Sequence, residues 1–265
     1  MWFPPIKVET ELGRKGTPKG LYSITYDPVG VDKEKKEITN KHSHNSIKVW
    51  ENPSIYNGFK QRLACAYYGR PDKLCMAIGD VSGKGVPASL FMAITQTYHR
   101  GLVISKDNSP QQVVSSLNSF VSNNNIANMF VTYLFAIVDL KTGIMSYCNA
   151  GHNPFYVIRV DGTVEKSCKR HGIPLGAFSD SEYGQSDLPL NHGDMVVFYT
   201  DGVTEANNSK EELFGDQALV AILEKCGAQH LSAEETRQAI FDAVISFETD
   251  AEQFDDITIM CFKYI

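Results

Sequence analysis

The chain has 265 residues, of which 43% are hydrophobic and 21% charged, with a formal net charge of −6. That balance excludes a disordered chain, and the negative charge with no Lys/Arg stripe argues against nucleic acid as the main partner. No run approaches the roughly 18 apolar residues of a membrane span. The start, Met1-Trp2-Phe3-Pro4-Pro5, lacks a basic stretch followed by an apolar run, so the expectation is a cytoplasmic protein with no membrane partner.

Residues 1–61 read as an N-terminal segment carrying a long loop or insertion and belonging to the same domain as a core at 62–265. Within it, Leu21–Tyr26 alternates like a strand and Ser46–Trp50 makes a second short one. Leu63–Tyr68 and Lys73–Gly79 form a hairpin around Gly69-Arg70-Pro71-Asp72. Pro87 opens a helix, where its missing N–H costs nothing, with an apolar stripe of Leu90, Phe91, Ile94, Tyr98 and Leu102, of which Phe91, Ile94 and Tyr98 are assigned to the core. A second helix follows Ser109-Pro110 through Val113, Val114, Leu117 and Val121. Phe130–Val138 pairs with Ile144–Asn149, and Phe155–Val160 pairs with Thr163–Lys166 around Asp161-Gly162. Met195–Thr200 is a buried strand. Asp216 is the expected cap of a helix carrying Leu219, Ile222 and Leu223. Ser232 and Glu235 make a capping box for the next helix, and Ile257–Tyr264 is the last strand. Hairpin-linked strands with helices in two pairs predict an α+β fold, an antiparallel β-sandwich flanked by helix pairs.

Six cysteines, Cys65, Cys75, Cys148, Cys168, Cys226 and Cys261, show no C-x-x-C spacing. Four stand in apolar strand or helix contexts and read as small buried hydrophobes rather than zinc ligands or disulfide partners.

The chemistry is carried by three acidic stretches at strand ends: Gly79-Asp80-Val81-Ser82-Gly83-Lys84-Gly85, Thr200-Asp201-Gly202 and Asp255-Asp256-Ile257-Thr258. A half-desolvated carboxylate costs free energy unless a cation compensates it. Three converging carboxylates without clustered His or Cys suit a hard divalent cation such as Mg²⁺ or Mn²⁺. Two such cations bind a phosphoryl group and activate a water for in-line attack, with no protein nucleophile. The glycines around Ser82 and Lys84 let the backbone approach a metal or phosphate. The nucleotide-binding pattern G-x-x-x-x-G-K-[ST] is absent because Val86 follows Gly85.

These stretches, with Asn149-Ala150-Gly151-His152-Asn153-Pro154 and Gly172-Ile173-Pro174-Leu175-Gly176, resemble the bacterial branch of the metal-dependent protein phosphatases. This is the type 2C fold, in the subgroup named for stage II sporulation protein E. The resemblance implies a protein serine/threonine phosphatase needing Mn²⁺ or Mg²⁺, its substrate a phosphorylated regulatory protein of the anti-sigma-factor-antagonist type. It implies that Asp80 bridges two ions, that the Val81 carbonyl ligates one, and that Asp201 and Asp255 complete the other site. Adjacent carboxylates on a strand cannot both point inward, so Asp255 is preferred to Asp256. Ser82 and Lys84 are candidates for phosphate contact. His152 is open between proton donation to the leaving oxygen and a structural role in its turn. A sensor or regulator acting through the helix pair after Pro87 is also implied; oligomeric state is not.

One departure stands out. The subgroup's acidic motif on the strand before Asp80 is replaced by Lys60-Gln61-Arg62-Leu63, and no carboxylate lies between Glu51 and Asp72. A weaker second cation site follows, and with it an alternative reading as a catalytically weak module that binds a phosphoprotein.

Overall fold

The computed structural model describes residues 72–83, 86–105, 108–125, 128–248 and 257–265, together with the strand pairing of four earlier segments. Those segments are β1 (Lys7–Glu11), β2 (Leu21–Thr25), β3 (Lys48–Glu51) and β4 (Arg62–Arg70). After them come β5 (Lys73–Val81), helices α1 (Val86–Ser105) and α2 (Pro110–Asn123), then β6 (Val131–Asp139) and β7 (Ile144–Ala150). The chain continues through β8 (Phe155–Ile158), β9 (Val164–Ser167), β10 (Ser186–Pro189) and β11 (Met195–Tyr199). It closes with α3 (Asp201–Thr204), α4 (Gly215–Ala228), α5 (Ala233–Glu248) and β12 (Thr258–Lys263).

Two antiparallel sheets result, one in the order β1-β2-β3-β12-β11-β8-β9 and the other β10-β7-β6-β5-β4. Their inner faces meet in one apolar layer: Leu74, Met76 and Ile78 of β5 lie with Leu134 and Ala136 of β6, Val196 and Phe198 of β11, and Met260 and Phe262 of β12. Alternation sends the intervening residues outward. Cys75 and Ala77 pack under α1 and α2, while Val197, Tyr199, Ile259 and Cys261 pack under α4 and α5. The central strands are therefore buried on both faces, which is why β5 and β11 read as continuous apolar runs. This is the expected sandwich flanked by helix pairs.

Helix ends follow local chemistry. Gln112 N–H donates to Ser109 Oγ at 3.3 Å and Ser109 N–H donates to Gln112 Oε1 at 2.9 Å, a reciprocal cap opening α2. Ser232 and Glu235 do the same for α5, with bonds of 2.8 and 3.2 Å.

Two expectations are corrected, and two elements are added. The inward face of α1 is Ala88, Phe91, Met92, Thr95, His99 and Val103, while Leu90 and Ile94 are 59% and 49% exposed. Helical spacing alone did not separate two apolar stripes on one helix, and Thr95 satisfies its hydroxyl on the Phe91 carbonyl at 2.8 Å, so a polar residue sits inside at little cost. Asp216 does not cap α4. The preceding position is Phe214 in a helical conformation without a side-chain cap. The Asp216 carboxylate instead accepts from Lys166 Nζ at 2.5 Å and from the Tyr156 and Tyr199 hydroxyls at 3.3 Å each, and the Lys166 bond holds its carboxyl below the usual range. Finally, β10 and the one-turn α3 had no sequence signal; β10 alternates between half-buried and exposed, as an edge strand does. Cys75, Cys148, Cys226 and Cys261 are buried and Cys168 exposed.

Candidate active site

At one end of the sandwich the inter-sheet layer turns polar. Continuing the inward alternation of Leu74, Met76 and Ile78 brings β5 to Asp80, which is half-buried. Its register neighbours are Thr132 on β6 and Arg62 on β4. Gly79 is needed just before it, because a Cβ there would lie 2.8 Å from the Tyr133 ring and 2.9 Å from the Thr132 carbonyl oxygen. Val81 faces the helix side and is buried. The turn beyond runs through Gly83 at φ +95°, open to glycine and strained for other residues. Ser82 latches this turn rather than standing free: its N–H donates to the Phe130 carbonyl and its Oγ accepts from Phe130 N–H, both at 2.8 Å.

On the facing sheet, the alternation of Val196 and Phe198 reaches Thr200, which is fully buried. Its N–H donates to the Thr258 carbonyl and its Oγ1 accepts from Thr258 N–H, each at 3.0 Å, so the end of β11 is tied to the beginning of β12. Asp201 follows directly and opens α3. Its Oδ1 accepts from Gly202 N–H at 3.0 Å, and its carbonyl accepts from Glu205 N–H at 2.7 Å and Thr204 Oγ1 at 3.3 Å. Lys84, Asp255 and Asp256 lie outside the described residues, the last two immediately before Ile257 and Thr258.

The two sheets are joined at this same end by the 149–154 crossover from β7 to β8. Asn149 Oδ1 accepts from His152 N–H at 2.8 Å, and Asn149 Nδ2 donates to the Asn153 carbonyl at 3.3 Å. Gly151 adopts φ +73° with the Pro174 ring 2.6 Å from where a Cβ would be. Asn149 N–H donates to His171 Nδ1 at 3.1 Å, which leaves Nε2–H of His171 to donate to Ser186 Oγ at 2.9 Å. The His152 ring is buried, its Nδ1 2.9 Å from Thr132 Oγ1, and that hydroxyl also reaches the Asp80 carbonyl at 3.4 Å. Asp80 and Asp201 thus stand at one rim, each at the polar end of an apolar strand, with a buried layer of Asn149, His152, Thr200 and Thr258 between rim and core.

The donor chemistry of this rim is oxygen: two carboxylates, threonine hydroxyls and main-chain carbonyls, with the nearby imidazole nitrogen already engaged by Thr132. Among the described residues no three His, Cys, Asp or Glu side chains gather as a metal cluster. A rim with two described carboxylates and hydroxyl and carbonyl oxygens fits a hard cation and not zinc. Sequence reading missed Thr132, Thr200 and Thr258. Thr200 and Thr258 stand within two acidic stretches, whereas Thr132, the partner of Asp80, carries no such signal because two helices intervene between β5 and β6.

The class is defined by the fold. The chain superposes on the phosphatase domain of the Bacillus subtilis cell fate determinant SpoIIE, solved with a fragment of its regulatory domain, with a TM-score of 0.66 and 17% identity over 97% of this chain and 82% of that one. It also superposes on RsbX solved with magnesium, with a TM-score of 0.62 and 14% identity over 84% and 97% of the two chains. This is the type 2C phosphatase-like sandwich. Residues 70–265 match the family described as stage II sporulation protein E (SpoIIE), and the chain belongs to that family. It is 32% identical over 209 residues to the phosphoserine phosphatase RsbU of Bacillus subtilis, a match covering 77% of this chain. The chain spans 60% of the length of that relative.

Proposed function

We propose that this chain is a metal-dependent protein serine/threonine phosphatase acting on a phosphorylated regulatory protein of the anti-sigma-factor-antagonist type. The observation carrying this reading is the shared rim of Asp80 and Asp201, bridged by the 149–154 crossover, in a chain of the SpoIIE family. Asp80, the Val81 carbonyl, Asp201 and Asp255, with Asp256 as the alternative, would hold Mg²⁺ or Mn²⁺; the magnesium in the RsbX structure supports this choice. A bound divalent cation supplies charge for the phosphoryl oxygens and acidifies a water near neutral pH.

The chain's own part is positional. Thr200 and Thr258 lock the strand ends on either side of Asp201, and the Asp201–Gly202 bond orients the carboxylate. Ser82 sets the turn after Asp80, from which Lys84 would contact phosphate. The buried polar layer beneath gives the rim a fixed set of dipoles that need not reorganise during reaction. Arg62, not an acid, holds the register position opposite Asp80, which supports a second cation bound more weakly than the first.

Residues 1–61 belong to the same domain in this reading, and a sensor or regulator acts through α1 and α2. Among the described residues no helix is long and apolar enough to cross a membrane, and a cytoplasmic location is part of the proposal. The test is hydrolysis of p-nitrophenyl phosphate and of a phosphoserine protein with Mn²⁺. Asp201→Asn keeps an acceptor for Gly202 N–H, so the fold is expected to survive while kcat falls ~100-fold or more. Equal turnover in the variant would reject Asp201 as part of the site. Absence of Mn²⁺-stimulated turnover in the parent, with phosphoprotein binding retained, would favour a binding module.

A further inference from the structure

The crossover between the sheets reaches the residue opposite Asp80 through the bond between His152 and Thr132. Thr132 stands directly across from Asp80 in the β5–β6 register. Its hydroxyl lies 2.9 Å from His152 Nδ1 and 3.4 Å from the Asp80 carbonyl, so it faces both the crossover and β5. The ring is itself held by its neighbours: His152 N–H is bonded to Asn149 Oδ1 at 2.8 Å, and the side chain is buried with a residue exposure of 2%.

The structure assigns to Thr132 and His152 a joint role as positioning residues that hold the crossover, and with it the entry to β8 of the facing sheet, against the strand pair that carries Asp80. This inference rests on the proposed cation-binding rim. The physical reason is that Asp80 and Asp201 belong to different sheets, and sheets packed through apolar side chains have no directional bond to fix their spacing at the rim. The 2.9 Å bond between His152 and Thr132 supplies a directional restraint where apolar contacts supply none. Asn149, Thr132 and Asp80 belong to β7, β6 and β5 of one sheet, and His152 ties to that sheet the crossover that, three residues on, enters β8, the neighbour of β11 in the facing sheet. A cation shared between the two sheets depends on that spacing, since hard cations demand defined oxygen distances.

The experiment is Mn²⁺ binding followed by electron paramagnetic resonance and calorimetry on the whole chain, with thermal unfolding of the metal-free proteins alongside. Thr132→Val removes the hydroxyl at nearly constant shape, and Thr132→Ser keeps it. The expected result is at least a fivefold rise in Kd for Thr132→Val, a change under twofold for Thr132→Ser, and a rise in His152→Gln matching that of Thr132→Val. The double variant Thr132→Val/His152→Gln is expected to bind no worse than either single one, because both break the same path. Parent-like affinity in Thr132→Val, or equal loss in the Val and Ser variants, overturns the inference while leaving the cation site standing. If the parent and Asp201→Asn bind Mn²⁺ identically, the cation-site reading itself fails and the inference falls with it.

Discussion

Thr200 and Thr258 exchange two hydrogen bonds at 3.0 Å, one of them through the Thr200 hydroxyl, and so fasten the end of β11 to the beginning of β12 beside Asp201. Both residues are buried, so the amide of Thr258 has no recourse to water if that hydroxyl is lost. Thr200→Val is expected to cost about 1–3 kcal/mol, the penalty of a buried unsatisfied N–H, whereas Thr200→Ser should stay close to the parent. Urea unfolding of the three proteins checks this, and equal stability of the Val and parent forms would count against the bond.

Two glycines on neighbouring elements should respond in opposite directions to alanine. A Cβ on Gly79 meets the Thr132 carbonyl oxygen at 2.9 Å and the Tyr133 ring at 2.8 Å, and a paired strand backbone cannot give way. Gly79→Ala is expected to destabilise by about 1–3 kcal/mol, the ordinary range for overpacking, and to lower phosphatase activity because the displaced residue faces Asp80. At Gly101 in α1 a methyl group would point into open space, with no atom of another element within 4 Å, and Gly101→Ala should stabilise by roughly 0.5–1 kcal/mol through helix propensity. Thermal melts and turnover of both variants separate the two effects.

His99 gives the fold an acid sensitivity. Burial on the inward face of α1, against β6, pushes its imidazole down to about 3 from the ordinary 6.5, with Nδ1 bonded to the Tyr133 hydroxyl at 2.8 Å and the Phe135 ring edge-on at 4.9 Å. The folded state keeps it neutral while the unfolded chain takes up a proton below 6.5. Its contribution is thus complete above pH 6.5 and is lost as pH falls towards 3, by up to about 1.4 kcal/mol for each unit. His99→Gln should flatten the fall in stability between pH 6.5 and 4.5 by about one proton. His171, lowered by burial and then by Lys169, leans the same way, so a residual slope is expected. An unchanged slope in the variant, measured by urea unfolding across that range, would sink the assignment.

The amphipathic and alternating patterns made most of the architecture readable. Paired apolar runs around Gly69-Arg70-Pro71-Asp72 and Asp161-Gly162 appear as the β4–β5 and β8–β9 hairpins, and the Ser109 and Ser232 caps appear as helix starts. These are short-range signals, set within a turn or a few residues. The failures have a common cause. Which stripe of α1 faces inward depends on what the sheet beneath offers. His99 is buried because Tyr133 supplies a partner, and Leu90 and Ile94 are not because the interior face is already filled. Asp216 turned from cap to anchor because Lys166, 50 residues away, arrives beside it.

At the site, the residue types were legible. Asp80 and Asp201 at the ends of apolar strands, with oxygen chemistry and no clustered His or Cys, already pointed to a hard cation and phosphoryl transfer. What chain order could not carry is register. Thr132 opposite Asp80 and Thr258 against Thr200 are partnerships between segments separated by helices. Elements, family and candidate carboxylates could all be read from chain order, because they depend on local periodicity and on which residue ends a strand. That β5 and β11 end at the same edge of the sandwich, and that a buried histidine ties the crossover between the sheets to β6, emerged with the folded arrangement alone. Pairing between distant strands is set by the packing of the whole inter-sheet core, not by any segment within it.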